Sequence, residues 1–471
     1  MDRFDAVILG AGPGGEVALN TLVKEGLSVA LVEEELIGGE CTNWGCIPSK
    51  TLLRPTELQG KSMRAAGVDT PGLDFPRLSA YRDFMVSNHD DRGKVARYEE
   101  RGVTVVKARG RIAGPGRVEA GGRVLEAPAI VVATGAEAVV PPIPGLAESG
   151  YWTNREATDV HELPASTVVV GGGAVGIELA QFFARFGAHV TLVQGADRLA
   201  EREAPEIGEA LAAILEADGI DLRLGAQAAS VRVEDGLRVV SLADGSETSG
   251  EVVLVATGRR PRTQRLGLET VGIEPGRRGV EVDERCRAGD GLWAVGDCTG
   301  IAAFTHVAKY QGRIAAMDIL GYPVRADYRA VPRVTFTDPE VAAVGITTEA
   351  DAEAQGFRAA SAVIDLRTAI ARPYTFQEEP TGTFGVVVDT DRELLLGSWA
   401  VAPLASEWIH QAVLAIRAEI PVPVLKDTIA QFPSYSEAFG AALRALPSGE
   451  PGMMMDHEAH PHMARALAEA R

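Results

Sequence analysis

Gly10-Ala11-Gly12-Pro13-Gly14-Gly15 follows an apolar run, Phe4 to Leu9, and precedes a helical pattern through Ala18, Leu19, Leu22 and Val23. A second apolar run, Ser28 to Val32, ends in Glu33. This is Gly-x-Gly-x-x-Gly between strand, helix and strand, and it predicts a parallel α/β fold. Gly10 permits the tight turn, Gly12 lets the backbone approach a pyrophosphate, and Gly15 allows close helix–strand packing. The free N–H groups at the helix start face the phosphates. Glu33 stands where an adenosine ribose needs an acceptor. A glycine turn alone is a weak signal; with strand, helix and terminal acid in register it reads as a dinucleotide site.

The pattern returns further on. Thr167 to Val170 runs into Gly171-Gly172-Gly173-Ala174-Val175-Gly176-Ile177-Glu178, a helix follows to Phe186, and Val190 to Val193 forms the next strand. Gly171, Gly173 and Gly176 hold the spaced positions. Each fingerprint is later closed by Ala-Thr-Gly, at Ala133-Thr134-Gly135 and Ala256-Thr257-Gly258, so the two are a divergent internal repeat. Two such sites in one chain predict two dinucleotides, for example a flavin and a nicotinamide. An acid after the second strand favours NAD and an arginine cluster favours NADP. Gln194 is neither, and Arg198 lies further on, so the coenzyme preference stays open.

Between the repeats lies Gly39-Glu40-Cys41-Thr42-Asn43-Trp44-Gly45-Cys46-Ile47-Pro48-Ser49-Lys50. Two cysteines five positions apart close a small disulfide ring. Cys46 falls at a helix start, where partial positive charge favours a thiolate, and Lys50 stands one turn beyond on the same face. Cys46 therefore reads as the acidified sulfur that stays beside a cofactor, and Cys41 as the sulfur that exchanges with a partner. A zinc half-site is the weaker reading, because Cys286 and Cys298 form no second pair with ligand spacing. No metal ligand set is assigned. A purely structural disulfide is also weaker, since nothing else suggests an oxidising compartment.

At 471 residues the chain predicts two to four domains. A net charge of −19 argues against nucleic acid or an anionic membrane surface as partner. No apolar run approaches the roughly 20 residues that span a bilayer, and Met1-Asp2-Arg3-Phe4-Asp5 leads straight into a strand, with no signal peptide expected. A cytoplasmic protein is the expectation. Helices are predicted over about 50–66, over Arg82 to Arg101 as a charged, solvated helix, and over about 308–320. Val103 to Val106 and the glycine-rich run to Leu125 read as a small β-meander. Pro141-Pro142-Ile143-Pro144-Gly145 reads as a linker. Leu292 to Val295 is a strand ending in Gly296-Asp297, an acid that reaches a flavin ribityl hydroxyl or simply caps the turn. From 331 onward the pattern is α+β without a dinucleotide motif, with strands near 384–389 and 394–400 and helices over 405–417 and 436–446.

The order of these segments resembles the class I pyridine nucleotide-disulfide oxidoreductases. These flavoproteins include dihydrolipoamide dehydrogenase, glutathione reductase, mercuric reductase and soluble transhydrogenase. The matching pieces are Gly10 to Gly15, Gly39 to Lys50, Gly171 to Glu178, Ala256 to Pro261 and Ala294 to Asp297. The resemblance implies an FAD domain from 1–147 and 283–330, an NAD(P) domain from 148–282, and a dimerisation domain from 331–447 that makes a homodimer. It implies FAD on the first fingerprint and NAD(P)H on the second, with Gly39, Thr134, Gly135, Gln194, Gly258, Arg259, Gly296 and Asp297 completing the cofactor contacts. Cys46 would stand against the flavin with Cys41 as the interchange thiol. Lys50 and Glu178 would pair near the reactive edge of the isoalloxazine, and Asp297 would hold the ribityl chain.

One departure bears on the substrate. Disulfide-reducing members carry a His before Pro as acid/base, with a Glu behind it. Here Gln431-Phe432-Pro433-Ser434-Tyr435-Ser436-Glu437 keeps Glu437 but has Phe432 in the His position. The complete cysteine motif makes a small-molecule or protein-borne disulfide the default substrate. Phe432 motivates a metal ion, a quinone or a second nicotinamide, none of which needs a leaving thiol protonated. Tyr435 reads as packing. The remaining tail, 448–471, holds three of eight histidines and four of eight methionines between Met453 and Met463. That composition suits either a soft-metal patch or a solvated tail.

Overall fold

The strands Ala6–Leu9, Val29–Glu33 and Ala129–Val132 are buried along their whole length. Unbroken apolar strands need cover on both faces, which is the condition for a parallel sheet. The computed structural model, which describes residues 2–447, meets it. Six strands lie in the order Arg287–Gly289, Leu292–Ala294, Ala129–Val132, Ala6–Leu9, Val29–Glu33, Thr104–Lys107. All neighbours are parallel except the outermost pair, Arg287–Gly289 with Leu292–Ala294. On one face the helices Pro13–Lys24 and Thr305–Ile319 pack so closely that a Cβ on Gly312 would lie 2.2 Å from the Gly14 carbonyl oxygen. The other face is covered by a small sheet of Asp2–Arg3, Arg123–Glu126, Arg117–Ala120 and Gly110–Ile112.

The second repeat has the same build. Asp221–Leu224, His189–Gln194, Ser166–Val170 and Val252–Val255 are parallel throughout. Helices Ala174–Arg185 and Pro205–Ala217 cover one face, and an antiparallel sheet of Ala228–Glu234, Leu237–Leu242 and Glu247–Gly250 covers the other. Arg259–Pro261 pairs antiparallel with Ala136–Ala138 and ties the two repeats together. The C-terminal region is a five-stranded antiparallel sheet, ordered Pro332–Thr335, Glu340–Gly345, Leu394–Ala402, Thr383–Asp389, Ala359–Asp365. Helices Ala405–Trp408, His410–Arg417 and Glu437–Arg444 contribute to its core.

Three local expectations are corrected. Thr104–Lys107 is not part of the meander; it is the parallel edge strand beside Val29–Glu33. Val105 and Val106 face opposite sides of that sheet, and each finds apolar cover. The helix expected over Arg82 to Arg101 is broken. Phe75–Met85 ends, Ser87, Asn88 and His89 turn with φ of 56°, 50° and 53°, and Arg92–Glu99 follows. Arg82 is not solvated but fully buried, at 0% exposure. Its guanidinium donates to the Thr158 and Val160 carbonyls, to Ser79 Oγ and to Asp83. Those carbonyls belong to a distant stretch of chain, so a local charge pattern gives no sign of them. The helix expected over 405–417 is two short helices with a break at Ile409. No helix among the described residues is long and apolar enough to cross a membrane. The His/Met-rich tail lies outside the described residues.

Candidate active site

The first glycine turn is shaped by contacts only glycine allows. Gly10 has φ +104°, and a Cβ there would sit 2.4 Å from the Ala133 carbonyl oxygen. A Cβ on Gly15 would sit 2.0 Å from the Gly10 oxygen. At Gly12 the Cβ position meets nothing within 4 Å, because the turn borders a cavity of about 1360 Å³. The helix Pro13–Lys24 starts there with Pro13 in its first turn, where no N–H is lost to the helix. The cavity runs from Glu33 past Gly10, Gly12 and Gly39 to Thr134, Gly135, Arg259, Gly296 and Asp297, and reaches Cys41, Cys46, Lys50 and Glu178. Gly15 supports the turn without lining it.

An elongated cavity with a bare glycine wall, a helix N-terminus and carboxylates along its length fits FAD. Glu33 is anchored: its Oε2 accepts from Ala11 N at 2.7 Å and its Oε1 from Glu35 N at 2.7 Å. Burial raises its pKa. Burial also raises that of Asp297, whose nearest cation is Arg259, with Nε 3.9 Å away. When bound, FAD supplies hydride acceptance from the nicotinamide and passes the electron pair to the disulfide.

At the sulfur end the chain itself arranges the charges. Cys46 opens the helix Cys46–Arg64. Cys41 lies on the short helix Gly39–Asn43, and both are free thiols. A hydrogen bond from the Cys41 thiol, a contact of 3.2 Å with Thr305 Oγ1 and the charge of Lys50 lower Cys46 to about 6, against the opposing effect of burial. Cys41 is raised for the complementary reason: it holds the proton shared with Cys46, and it is partly buried. At neutral pH the pair therefore carries its negative charge on Cys46.

Lys50 Nζ lies 2.6 Å from Glu178 Oε2 and 4.8 Å from the centre of the Phe336 ring. Glu178 is 4% exposed, and its Oε1 accepts from Phe336 N at 2.8 Å. One ion pair thus joins the cysteine helix, the second repeat and the C-terminal sheet. Gly171, Gly173, Gly176, Gln194 and Gly258 do not line the large cavity. The Cβ position of Gly173 meets nothing within 4 Å, so that turn too is bare toward open space. Such a turn fits the pyrophosphate of NAD(P)H. Gln194 folds back, its Oε1 accepting from Gly172 N at 2.8 Å.

Glu437 is off the cavity wall, and its Oε2 accepts from Ser434 N at 2.9 Å. Phe432 is 65% exposed. Tyr435 is buried between the rings of Trp408 and Phe376, and burial pushes it up to about 12, so it packs rather than moves protons. Several site residues escaped sequence reading. Trp44 stacks on His89 at 5.6 Å and lies 4.0 Å from the Arg155 guanidinium carbon. Arg155 in turn clamps Glu35 and Glu40. Thr305, His306 and His410 line the same cavity, Thr305 directly against Cys46. Only Trp44 carried a local signal, as the aromatic inside the cysteine loop.

A bare glycine cradle for a flavin, a second glycine turn for a nicotinamide and a dithiol with one acidified sulfur define a flavoprotein redox enzyme. The chain belongs to the pyridine nucleotide-disulphide oxidoreductases: that family's profile matches residues 4–312, and its dimerisation-domain profile matches 331–443. It is an FAD-dependent oxidoreductase that uses NAD(P)H, and the dimerisation domain supports a homodimer. It is 33% identical to the mercuric reductase of Staphylococcus aureus, over 94% of this chain and 82% of that protein. It is 33% identical to the dihydrolipoyl dehydrogenase of Chlamydia muridarum, over 94% of this chain and 97% of that one. Among solved structures, it is similar to the Cu(II) complex of the HOCl-induced flavoprotein disulfide reductase RclA from Escherichia coli. The TM-score is 0.83 at 28% identity, over 93% of this chain and 99% of that one.

Proposed function

We propose that the chain reduces a thiophilic metal ion, of the Hg(II) or Cu(II) class, with NAD(P)H. The observation that carries this is Phe432. A dithiol substrate needs a group to move a proton at its leaving sulfur, and loss of a positioned acid/base costs about 10²–10⁴-fold. Phe432 offers only carbon, and Tyr435 is sealed among aromatic rings with its pKa raised. A metal ion leaves without protonation. Mercuric reductases and a Cu(II)-bound reductase among the similar proteins support the same class of acceptor.

The electron count closes. The Cys41 thiol and Cys46 thiolate, on becoming a disulfide, give up two electrons and one proton. That reduces one Hg(II) to Hg(0), or two Cu(II) to Cu(I). One NAD(P)H, giving up two electrons and one proton as it becomes NAD(P)⁺, restores the Cys41 thiol and the Cys46 thiolate. Cys46, lowered to about 6, supplies a thiolate at neutral pH, and Lys50 and Thr305 favour that anion. The roles of Cys41, Cys46, Lys50 and Glu178, and those of Gly10 to Asp297 along the cofactor path, belong to this reading.

A disulfide substrate is the second reading, supported by the intact cysteine pair. Anaerobic NADH and NADPH oxidation with Hg(II), Cu(II) and lipoamide separates the two. The expected result is turnover with a metal that falls about a hundredfold or more in Cys41→Ser and Cys46→Ser. Lipoamide turning over faster than either metal would overturn the proposal.

A further inference from the structure

Two histidines line the cavity that Cys41 and Cys46 also line, and none of the roles above uses them. His306 follows Thr305, whose Oγ1 touches Cys46 Sγ at 3.2 Å, at the start of the helix Thr305–Ile319. His410 opens the helix His410–Arg417, from the C-terminal region. Both line the same cavity as Cys41 and Cys46, and His410 stands near enough to His306 to disfavour a charge on it.

The His306 ring is held in a defined state. Its Nε2 lies 2.9 Å from the Pro332 carbonyl oxygen, and it stacks on Phe304 at 5.2 Å with 15° between the planes. A carbonyl can only accept, so Nε2 carries the hydrogen and the neutral ring has its lone pair on Nδ1. Nδ1 makes no hydrogen bond among the described residues, and the same is true of the His410 imidazole. A carbonyl partner on one imidazole nitrogen and a bare lone pair on the other is the arrangement of a metal-binding histidine.

We infer that His306 and His410 form an uptake site that receives the metal ion before the cysteines do, a site selective for imidazole-seeking ions such as Cu(II). This deepens the metal-reductase reading and rests on it. Among the described residues, no three His, Cys, Asp or Glu ligand atoms in this cavity lie close enough together to form a closed cage. A site of two imidazoles with no third protein ligand would hold the ion loosely, as suits a substrate that must move on to the thiolates. Imidazole nitrogen binds Cu(II) well, and thiolate favours Cu(I). An ion handed from imidazole to thiolate is thus drawn in the direction of its reduction.

The test uses the full-length FAD-loaded protein with CuCl₂ as the probe, in wild type, His306→Gln, His410→Gln and the double variant. Glutamine keeps an N–H for the Pro332 carbonyl, and an unchanged flavin spectrum checks folding. Two readouts are taken. The first is the ratio of kcat/KM for Cu(II) to kcat/KM for a neutral quinone. It should fall tenfold or more in each single variant and little further in the double, because the pair acts as a unit. The second is nitrogen hyperfine structure in the Cu(II) EPR spectrum of the oxidised enzyme, where a component present in wild type should be missing from every variant. An unchanged ratio with an unchanged spectrum overturns the uptake site, even if wild type reduces metals. If wild type reduces no metal but the EPR component still depends on both histidines, the site stands and the metal-reductase reading falls.

Discussion

The two glycine turns obey one set of constraints and end in different side chains. Gly10 and Gly171 have φ of +104° and +117°, and a Cβ on either would meet the Ala133 or Ala256 carbonyl oxygen at 2.4 Å. Gly15 and Gly176 would each drive a Cβ to 2.0 Å from the carbonyl oxygen of Gly10 or Gly171. The last residue of the second strand folds back in both. Glu33 accepts from Ala11 N at 2.7 Å, and Gln194 accepts from Gly172 N at 2.8 Å. Tying down the turn therefore needs only an acceptor oxygen, and the amide of Gln194 suffices. The acid of the first repeat is kept despite a desolvation cost that raises its pKa. We propose that a charged acceptor there serves a ribose as well as the turn, which the amide of Gln194 does not do.

The largest effect that could break this comparison lies under the turns. Gly15→Ala and Gly176→Ala force a methyl into a backbone carbonyl, and each should cost about 3 kcal/mol or more, read as a fall in chemical-denaturation midpoint. If one is tolerated and the other is not, the repeats are not equivalent. Next come Gly12→Ala and Gly173→Ala. Neither methyl meets a neighbour within 4 Å, so both proteins should fold. Gly12→Ala should then emerge with flavin content reduced about tenfold, and Gly173→Ala should keep its flavin while KM for NAD(P)H rises about tenfold, from lost pyrophosphate approach. Gln194→Glu should raise the NADH to NADPH ratio of kcat/KM by about tenfold, and Gln194→Arg should lower it by a similar factor.

The smallest effect concerns Glu33 in the FAD-free protein. Its pKa is raised above the ordinary 4.5 in the fold, so its contribution to stability is complete below that value and is lost as pH rises through the raised pKa. Wild type should gain stability over Glu33→Gln as pH falls from 8 to about 4.5, read as the difference in Tm at each pH. A constant difference would mean that Glu33 titrates as it does in the unfolded chain.

The sequence made the repeat visible because periodicity and glycine spacing are local. Both parallel sheets, the helix at Cys46 and the Gly296-Asp297 turn follow from patterns a few residues long. What stayed hidden depends on chain brought in from elsewhere. Arg82 looks like surface charge until Thr158 and Val160 present their carbonyls to it. His306 looks like an ordinary helix residue until Pro332 arrives to fix its tautomer. The pairing of Lys50 with Glu178 came from family likeness, whereas the third partner, Phe336 N, had no signal in the sequence. The composition of the tail still stands as a sequence observation alone.

We propose that Phe432 has taken the protein away from dithiol substrates while the Cys41–Cys46 pair remains competent. The most direct measurement is NAD⁺ and NADP⁺ reduction by dihydrolipoamide, run side by side on wild type and Phe432→His. Wild type is expected to be nearly inert, and Phe432→His to gain activity, about a hundredfold if the restored imidazole is oriented by Glu437. Ready turnover of dihydrolipoamide by wild type would contradict it.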